Sequence, residues 1–290
     1  MTRKRGNKLG YWFFKMAFKL FGLRGSYGLL YLVVPYYIVF DRKAVLSVKP
    51  YIERKFSEAG FWGVYKHAFF IFLSFGKQLI DRYVFFNDEK YFKVSLKEDE
   101  LLKSLSSDRG FIILNSHIGN WQFALHAIKY FKRRVHVVMR SEDNIAARES
   151  LKLYGDTEDI KIITPSEDNL GGVIDIINVL RNGGIVSIAG DRSYGAEVVD
   201  VDFLDCSASF PYSAFKIAAE LECPISILLT SKLSETEYEV DLSKLIFPKY
   251  TTRKNKKEQL RPYVQKYADI ISDYLNKHPH NCFLFDDVWD

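Results

Sequence analysis

Apolar positions along the chain change their spacing near residue 90. Before that point they are aromatic-rich and recur at helical intervals. Over 8–23, Lys8, Lys15 and Lys19 fall on one side at about 100° per residue, while Phe13, Phe14, Phe18, Leu20 and Phe21 occupy much of the rest. The same texture predicts helices over 26–40, 44–58 and 62–85. A charged connector, Lys97-Glu98-Asp99-Glu100, marks the change. Beyond it, short apolar runs at 111–116, 135–140, 160–164, 185–190, 198–203, 224–232 and 237–243 predict strands. Amphipathic stretches at 121–131, 144–154, 168–181, 211–222 and 256–277 predict helices between and after them. Such alternation predicts an α/β fold with a mixed, mostly parallel central sheet flanked by helices. The segment 198–203 follows Gly195 too closely for a crossover helix, so it is expected antiparallel or at an edge. The chain then divides into an N-terminal helical region, 1–92, and an α/β domain, 93–290.

Composition changes this picture mainly at the start of the chain. With 290 residues, 48 % of them hydrophobic, the chain can bury a full core as one elaborated domain. Residues 1–43 carry nine basic side chains against Asp41 alone, a net +8 in a chain whose total is +5. Basic residues joined to aromatic helices favour an anionic membrane surface over nucleic acid, for which no reader motif is present. A solvated basic start on an ordinary helical subdomain is the alternative. The longest uncharged stretch, Gly25 to Phe40, is 16 residues with Pro35 inside it, short of the roughly 20 that a spanning helix needs. It is expected to lie on a bilayer. Lys15 and Lys19 interrupt any leader-like apolar core, so a cleaved signal peptide is not expected. Cys206, Cys223 and Cys282 have neither metal-ligand nor disulfide spacing, which fits a reducing compartment.

The candidate chemistry begins at His117, which follows the strand-like run Phe111-Ile112-Ile113-Leu114-Asn115-Ser116 and precedes a predicted helix. A histidine at the end of a strand stands at the rim where α/β sheets place their sites. A neutral imidazole near pH 7 is suited to taking a proton from a hydroxyl, thiol or amine. By itself it is also what a strand-end residue capping backbone groups looks like. Asn115, Ser116, Gly119 and Asn120 supply polar neighbours at the helix start.

Ser116-His117-Ile118-Gly119-Asn120-Trp121-Gln122 resembles the first block, H-x4-D/E, of the lysophospholipid acyltransferase superfamily, in the form found in the lipid A late acyltransferases. Val137-Val138-Met139-Arg140 with Asn144 is similar to the second block, and Gly190-Asp191-Arg192 to the third. Phe203-Leu204, Phe210-Pro211 and Ala218-Ala219-Glu220-Leu221 resemble the stretch leading to Cys223-Pro224-Ile225. His278-Pro279-His280-Asn281 with Asp286, Asp287 and Trp289 is similar to the closing aromatic segment. Gly190-Asp191-Arg192 and Phe203-Leu204 look closer to the branch linked with aryl polyene pigment clusters than to the standard lipid A enzymes.

The resemblance implies transfer of a fatty acyl chain from a thioester to an acceptor hydroxyl at the cytoplasmic face of the inner membrane, with the protein bound there peripherally. It implies acyl carrier protein or acyl-coenzyme A as donor, a lipid A precursor or related glycolipid or polyene lipid as acceptor, and no metal or redox cofactor. His117 is then the general base, and Asn120, Arg140, Asn144 and Arg192 are substrate-binding positions, the arginines for an anionic group. Backbone N–H groups near Asn120 are expected to face the tetrahedral oxyanion. Gln122 stands where the family has its acid. It can accept a hydrogen bond from the imidazole but cannot neutralise an imidazolium. In a Ser-His-Asp enzyme that acid-to-amide change costs about 10⁴ in turnover. Asp191, arriving on another strand end, is the candidate to take over, ahead of Glu142 and Asp143. Pro211-Tyr212-Ser213 departs from a glycine-proline turn, and Asn281 and Cys282 stand where aromatics are usual, which concerns packing. Two other readings share these residues: a non-catalytic lipid- or acyl-carrier-binding relative, and a thioester or ester hydrolase.

Overall fold

The computed structural model describes residues 8–97, 110–127, 134–139, 160–164, 170–193, 196–252 and 254–289. The N-terminal helices are α1 (Lys8–Phe40), α2 (Arg42–Lys55) and α3 (Phe61–Asn87). The two helices expected over 8–23 and 26–40 are both present within α1, and they meet at a kink at Gly22, whose non-helical φ of 65° and ψ of −163° suit glycine alone. Asp41 separates α1 from α2 and caps the latter, its Oδ1 accepting from the Ala44 N–H at 3.1 Å. Helices α1 and α3 run antiparallel. Their contacts, Phe18 with Tyr91 just past α3, Tyr27 with Asp81, and Tyr31 with Phe69, step in opposite directions. Asp81 is fully buried and accepts from Tyr27, from Tyr238 and from the Lys232 ammonium at 2.5 Å, which bonds the helical layer to the sheet.

Seven strands form the central sheet: β1 (Lys93–Lys97), β2 (Phe111–Asn115), β3 (Val135–Val138), β4 (Ile160–Ile163), β5 (Ile185–Ala189), β8 (Ile225–Lys232) and β9 (Glu237–Ile246). Their order is β1-β9-β8-β2-β5-β3-β4, and every neighbouring pair is parallel except β8 with β9. The mixed, mostly parallel sheet expected from the alternation is present. Strand β2 is central and buried along its whole length, as a parallel strand covered on both faces must be. Ile112 and Leu114 face one core cluster, Phe111 and Ile113 the other.

The remaining helices are α4 (Trp121–Ala127), α5 (Leu170–Arg181), α6 (Ser213–Leu221) and α7 (Lys256–Lys277). Helix α7 presents Leu260, Val264, Tyr267, Ala268, Ile271, Tyr274 and Leu275 inward at helical spacing. Strands β6 (Val198–Phe203) and β7 (Cys206–Pro211) pair antiparallel in a separate two-stranded sheet, which agrees with the expectation for 198–203. Leu204 and Asp205 make their turn at φ 55° and 61°, the double positive φ that the strand twist favours in a two-residue hairpin.

Two strands escape the sequence reading. Strand β1 lies where a connector is expected, because an edge strand with lysines at both ends reads as polar. Strand β7 occupies residues where no element is expected, and it delays the following helix from 211 to Ser213. The helix expected over 144–154 and the end of that over 121–131 lie outside the described residues.

Candidate active site

Strands β2 and β5 are neighbours in register, Asn115 opposite Ala189. Two residues further along each chain stand His117 and Asp191, so adjacent strand ends bring them face to face. The chain leaves β2 toward β3 on one side, while β8 flanks β2 on the other. The pair therefore sits at the point where strand order reverses, the usual crevice in such sheets.

The Asp191 carboxylate holds His117 twice. Imidazole Nδ1 lies 3.0 Å from Oδ1 and 3.3 Å from Oδ2, and the His117 backbone N–H also donates to Oδ2. A carboxylate is acceptor-only, so Nδ1 carries the proton and, in the neutral ring, Nε2 keeps its lone pair. The imidazole is about a quarter exposed (25 %) and Asp191 is fully buried. Burial by itself raises the Asp191 pKa. The His117 charge, the hydrogen bonds from its ring and backbone, and the Arg192 charge outweigh that and hold it below the ordinary range.

A second tier fixes this geometry. Asn115 donates to Ser187 Oγ at 3.1 Å, and its carbonyl accepts from Gly190 N at 2.9 Å and from the Tyr267 hydroxyl at 3.0 Å. Gly119 has φ 65°, and a Cβ there would lie 2.7 Å from the Thr230 carbonyl and 3.0 Å from the Tyr274 hydroxyl. Only glycine fits that turn. The tail after α7 then crosses the site as a strap. Asn281 O accepts from Gly119 N at 2.9 Å, Phe283 N donates to His117 O at 2.8 Å, and Ile118 bridges Cys282. Helices α2 and α3 grip the strap from its other side, Tyr51 donating to Pro279 O at 2.7 Å and Ser74 to Asn281 Oδ1 at 2.6 Å.

Of the sequence-predicted positions, the structure brings His117 and Asp191 together. Asn120 is buried beside them and donates to Gln78 O of α3 at 3.3 Å. Gln122 is half-buried in the first turn of α4. The Arg192 guanidinium turns to the strap, with Nη2 donating to Phe283 O at 3.3 Å and Nη1 3.2 Å from Asp286. Arg140, Glu142, Asp143 and Asn144 lie outside the described residues. Sequence reasoning missed Tyr267 and Tyr274, since buried tyrosines at helical spacing read simply as core; the signal available was that a buried hydroxyl needs an acceptor. Cys282 is no competing nucleophile: burial pushes its thiol up to about 12, leaving it protonated at neutral pH. Among the described residues no cluster of three or more His, Cys, Asp or Glu side chains could hold a metal ion.

These features define an α/β enzyme with a histidine–carboxylate pair bordered by the sheet rim, the tail strap and an apolar helical layer. The chain matches the model of the bacterial lipid A biosynthesis acyltransferase family over residues 78–289 and belongs to that family, which makes it a lipid-directed acyltransferase. The match begins in α3, ahead of residue 93, where the sequence reading starts the α/β domain. No curated protein sequence matches the chain.

Proposed function

We propose that the protein moves a fatty acyl chain from acyl carrier protein to a hydroxyl of a lipid A precursor, or of a related glycolipid or polyene lipid, with His117 as general base and Asp191 as its carboxylate. The observation that carries this reading is the paired hold of Asp191 on the His117 ring and backbone. In the proposed step, Nε2 takes the acceptor O–H proton as the oxygen attacks the thioester carbonyl. The tetrahedral intermediate collapses with loss of the C–S bond, and the imidazolium returns its proton to the leaving sulfur. Asp191 stabilises the imidazolium in between, the role that Gln122 cannot fill. The Gly119 and His117 amides are committed to Asn281 and Asp191, so the oxyanion donors are assigned to N–H groups from Asn120 onward.

The reaction is proposed to occur at the cytoplasmic face of the inner membrane. Leu32, Tyr36, Val39 and Phe40 of α1 are exposed, as are Phe61 and Trp62 at the head of α3, with Lys19 of α1, Arg42 and Lys43 at the head of α2, and Lys66 of α3 also exposed. Met16–Phe40 is long and apolar enough to cross a bilayer. Its middle, however, is bonded to the α/β core through Arg24 to Glu235 at 2.9 Å and Tyr27 to Asp81, which supports a helix lying along the surface.

Mass spectrometry of total lipids tests the reading, comparing cells with the wild-type protein, the His117→Ala variant and a deletion. A lipid one acyl chain lighter in both altered strains is expected. A change in the deletion alone would remove His117 from the chemistry and favour a binding role.

A further inference from the structure

We infer that Asp286 is an internal ligand of Arg192, holding the place of a substrate phosphate and gating access of phosphate-bearing groups to the site. This rests on the proposed acyl-transfer reading, in which donor or acceptor carries phosphate beside the reacting carbonyl. The unequal burial of the pair is the first observation. The Arg192 side chain is only 14 % exposed, whereas that of Asp286 is 60 % exposed. A cation held almost wholly inside the protein thus has one edge facing outward, and the group on that edge is a mostly solvated carboxylate.

The second observation is where Arg192 is anchored. Nη2 donates to Phe283 O at 3.3 Å, and Phe283 N in turn donates to His117 O at 2.8 Å. Arg192 also follows Asp191 directly in sequence. The guanidinium is therefore fixed one strap residue away from the general base, with Nη1 directed at Asp286 at 3.2 Å. Because Asp286 is mostly solvated, its side of the ion pair is open to exchange with another anion. A phosphate can make the same charge-assisted, paired bonds to that fork and brings more acceptor oxygens than one carboxylate.

The strap does not need Asp286 for its own shape. The neighbouring Asp287 carries the local turn, its Oδ1 accepting from Trp289 N at 3.1 Å, while Trp289 stacks on Phe203 with ring centres 5.4 Å apart. Among the described residues the Asp286 side chain has no ion pair other than that with Arg192. Its carboxylate leaves, and a phosphate takes its place, without unfolding the tail.

The test is equilibrium binding to the full chain in detergent micelles, with 4′-phosphopantetheine, pantetheine and dihexanoyl phosphatidic acid as probes. Asp286→Asn is expected to tighten one phosphate-bearing probe about two- to fivefold, as removal of a mostly solvated competing anion would, and to leave pantetheine unmoved. Asp287→Asn removes the same charge without touching Arg192 and is expected to do less. In an Arg192→Gln background the Asp286→Asn effect should vanish. Tightening of phosphopantetheine assigns the phosphate to the donor, and tightening of phosphatidic acid assigns it to the lipid. Equal effects from Asp286→Asn and Asp287→Asn, or none from either, would overturn the inference. Turnover is read separately with an acyl thioester, so failure of acyl transfer and failure of the gate are distinct results.

Discussion

Replacing Asp191 with asparagine is the sharpest probe of the site. The carboxylate accepts from two donors of His117, ring Nδ1 at 3.0 Å and the backbone N–H. An amide offers one oxygen and one NH2, so it can serve only one of them. If its oxygen keeps the backbone bond, its NH2 faces Nδ1. The ring must then flip its proton to Nε2, the atom proposed to accept one. If its oxygen keeps Nδ1, two N–H groups oppose each other in a fully buried place. The first outcome costs turnover, about 10³–10⁴ in kcat by comparison with a Ser-His-Asp enzyme, or about 4–5.5 kcal/mol of barrier. The second costs stability, about 1–3 kcal/mol for a buried donor left unpaired. There is also a signature in pH. Asp191 has a folded pKa below its unfolded value, so its contribution is complete above about pH 4 and is lost as pH falls further. The stability gap between wild type and variant should therefore shrink in acid. The assay is thiol release from an acyl thioester with lipid acceptor, with His117→Ala as the floor and chemical denaturation run in parallel. Retention of more than roughly a tenth of wild-type kcat by a folded Asp191→Asn protein would refute the pairing as the catalytic one.

Gly119→Ala should abolish turnover and lower the melting temperature, because its Cβ would stand 2.7 Å from the Thr230 carbonyl on a residue with φ 65°; a melt equal to wild type would show the turn to be more tolerant. Lys232→Met should cost about 3 kcal/mol in denaturant unfolding by leaving the buried Asp81 uncompensated, and a second change, Asp81→Asn, should recover part of it. His67 and His280, whose ring nitrogens meet at 3.1 Å, have pKa values lowered first by burial and then by nearby positive charge. Their contribution is complete above about pH 6.5 and falls as pH drops below it, so His280→Gln should flatten the melting curve between about pH 6.5 and 5. Trp62→Ser, which removes an 80 % exposed ring, should weaken partition into anionic vesicles about fivefold without changing the melt. Unchanged partition would move the membrane contact elsewhere.

How much of this was legible depended on burial. Strand β2 is readable as an unbroken apolar run because both of its faces are covered, and α7 because its inward positions recur every three or four residues. The pattern fails at the edges of the structure. Strand β1 alternates exposed and half-buried positions between two lysines, and β7 is built of Cys206-Ser207-Ala208-Ser209-Phe210-Pro211, mostly small residues with weak strand preference. The candidate site divides in the same way. His117 announces itself by standing after a buried strand. The sequence marks Asp191 as a polar residue at another strand end, but nothing in chain order says that β5 inserts between β2 and β3. The strap bonds Asn281 O to Gly119 and Phe283 N to His117 run through backbone atoms, which carry no side-chain signature, so reading Asn281 as a packing position missed its bond and Phe283 drew no reading at all.

Moving the carboxylate from the helix to a neighbouring strand changes what the pair depends on. An acid five residues after the histidine is placed by one turn and the start of one helix, so local geometry suffices. Asp191 is placed by the register of β5 against β2, Asn115 opposite Ala189, over five paired residues. A slip of one residue would turn Asp191 to the other face of the sheet. The Gly190 N–H to Asn115 O bond and the Tyr267 hydroxyl on that same carbonyl lock the register just where the strands end. Site geometry and sheet formation are thus one event here. Substitution of Tyr267 by Phe should accordingly cost activity before it costs fold, since it loosens the last paired residue while leaving the core volume almost unchanged.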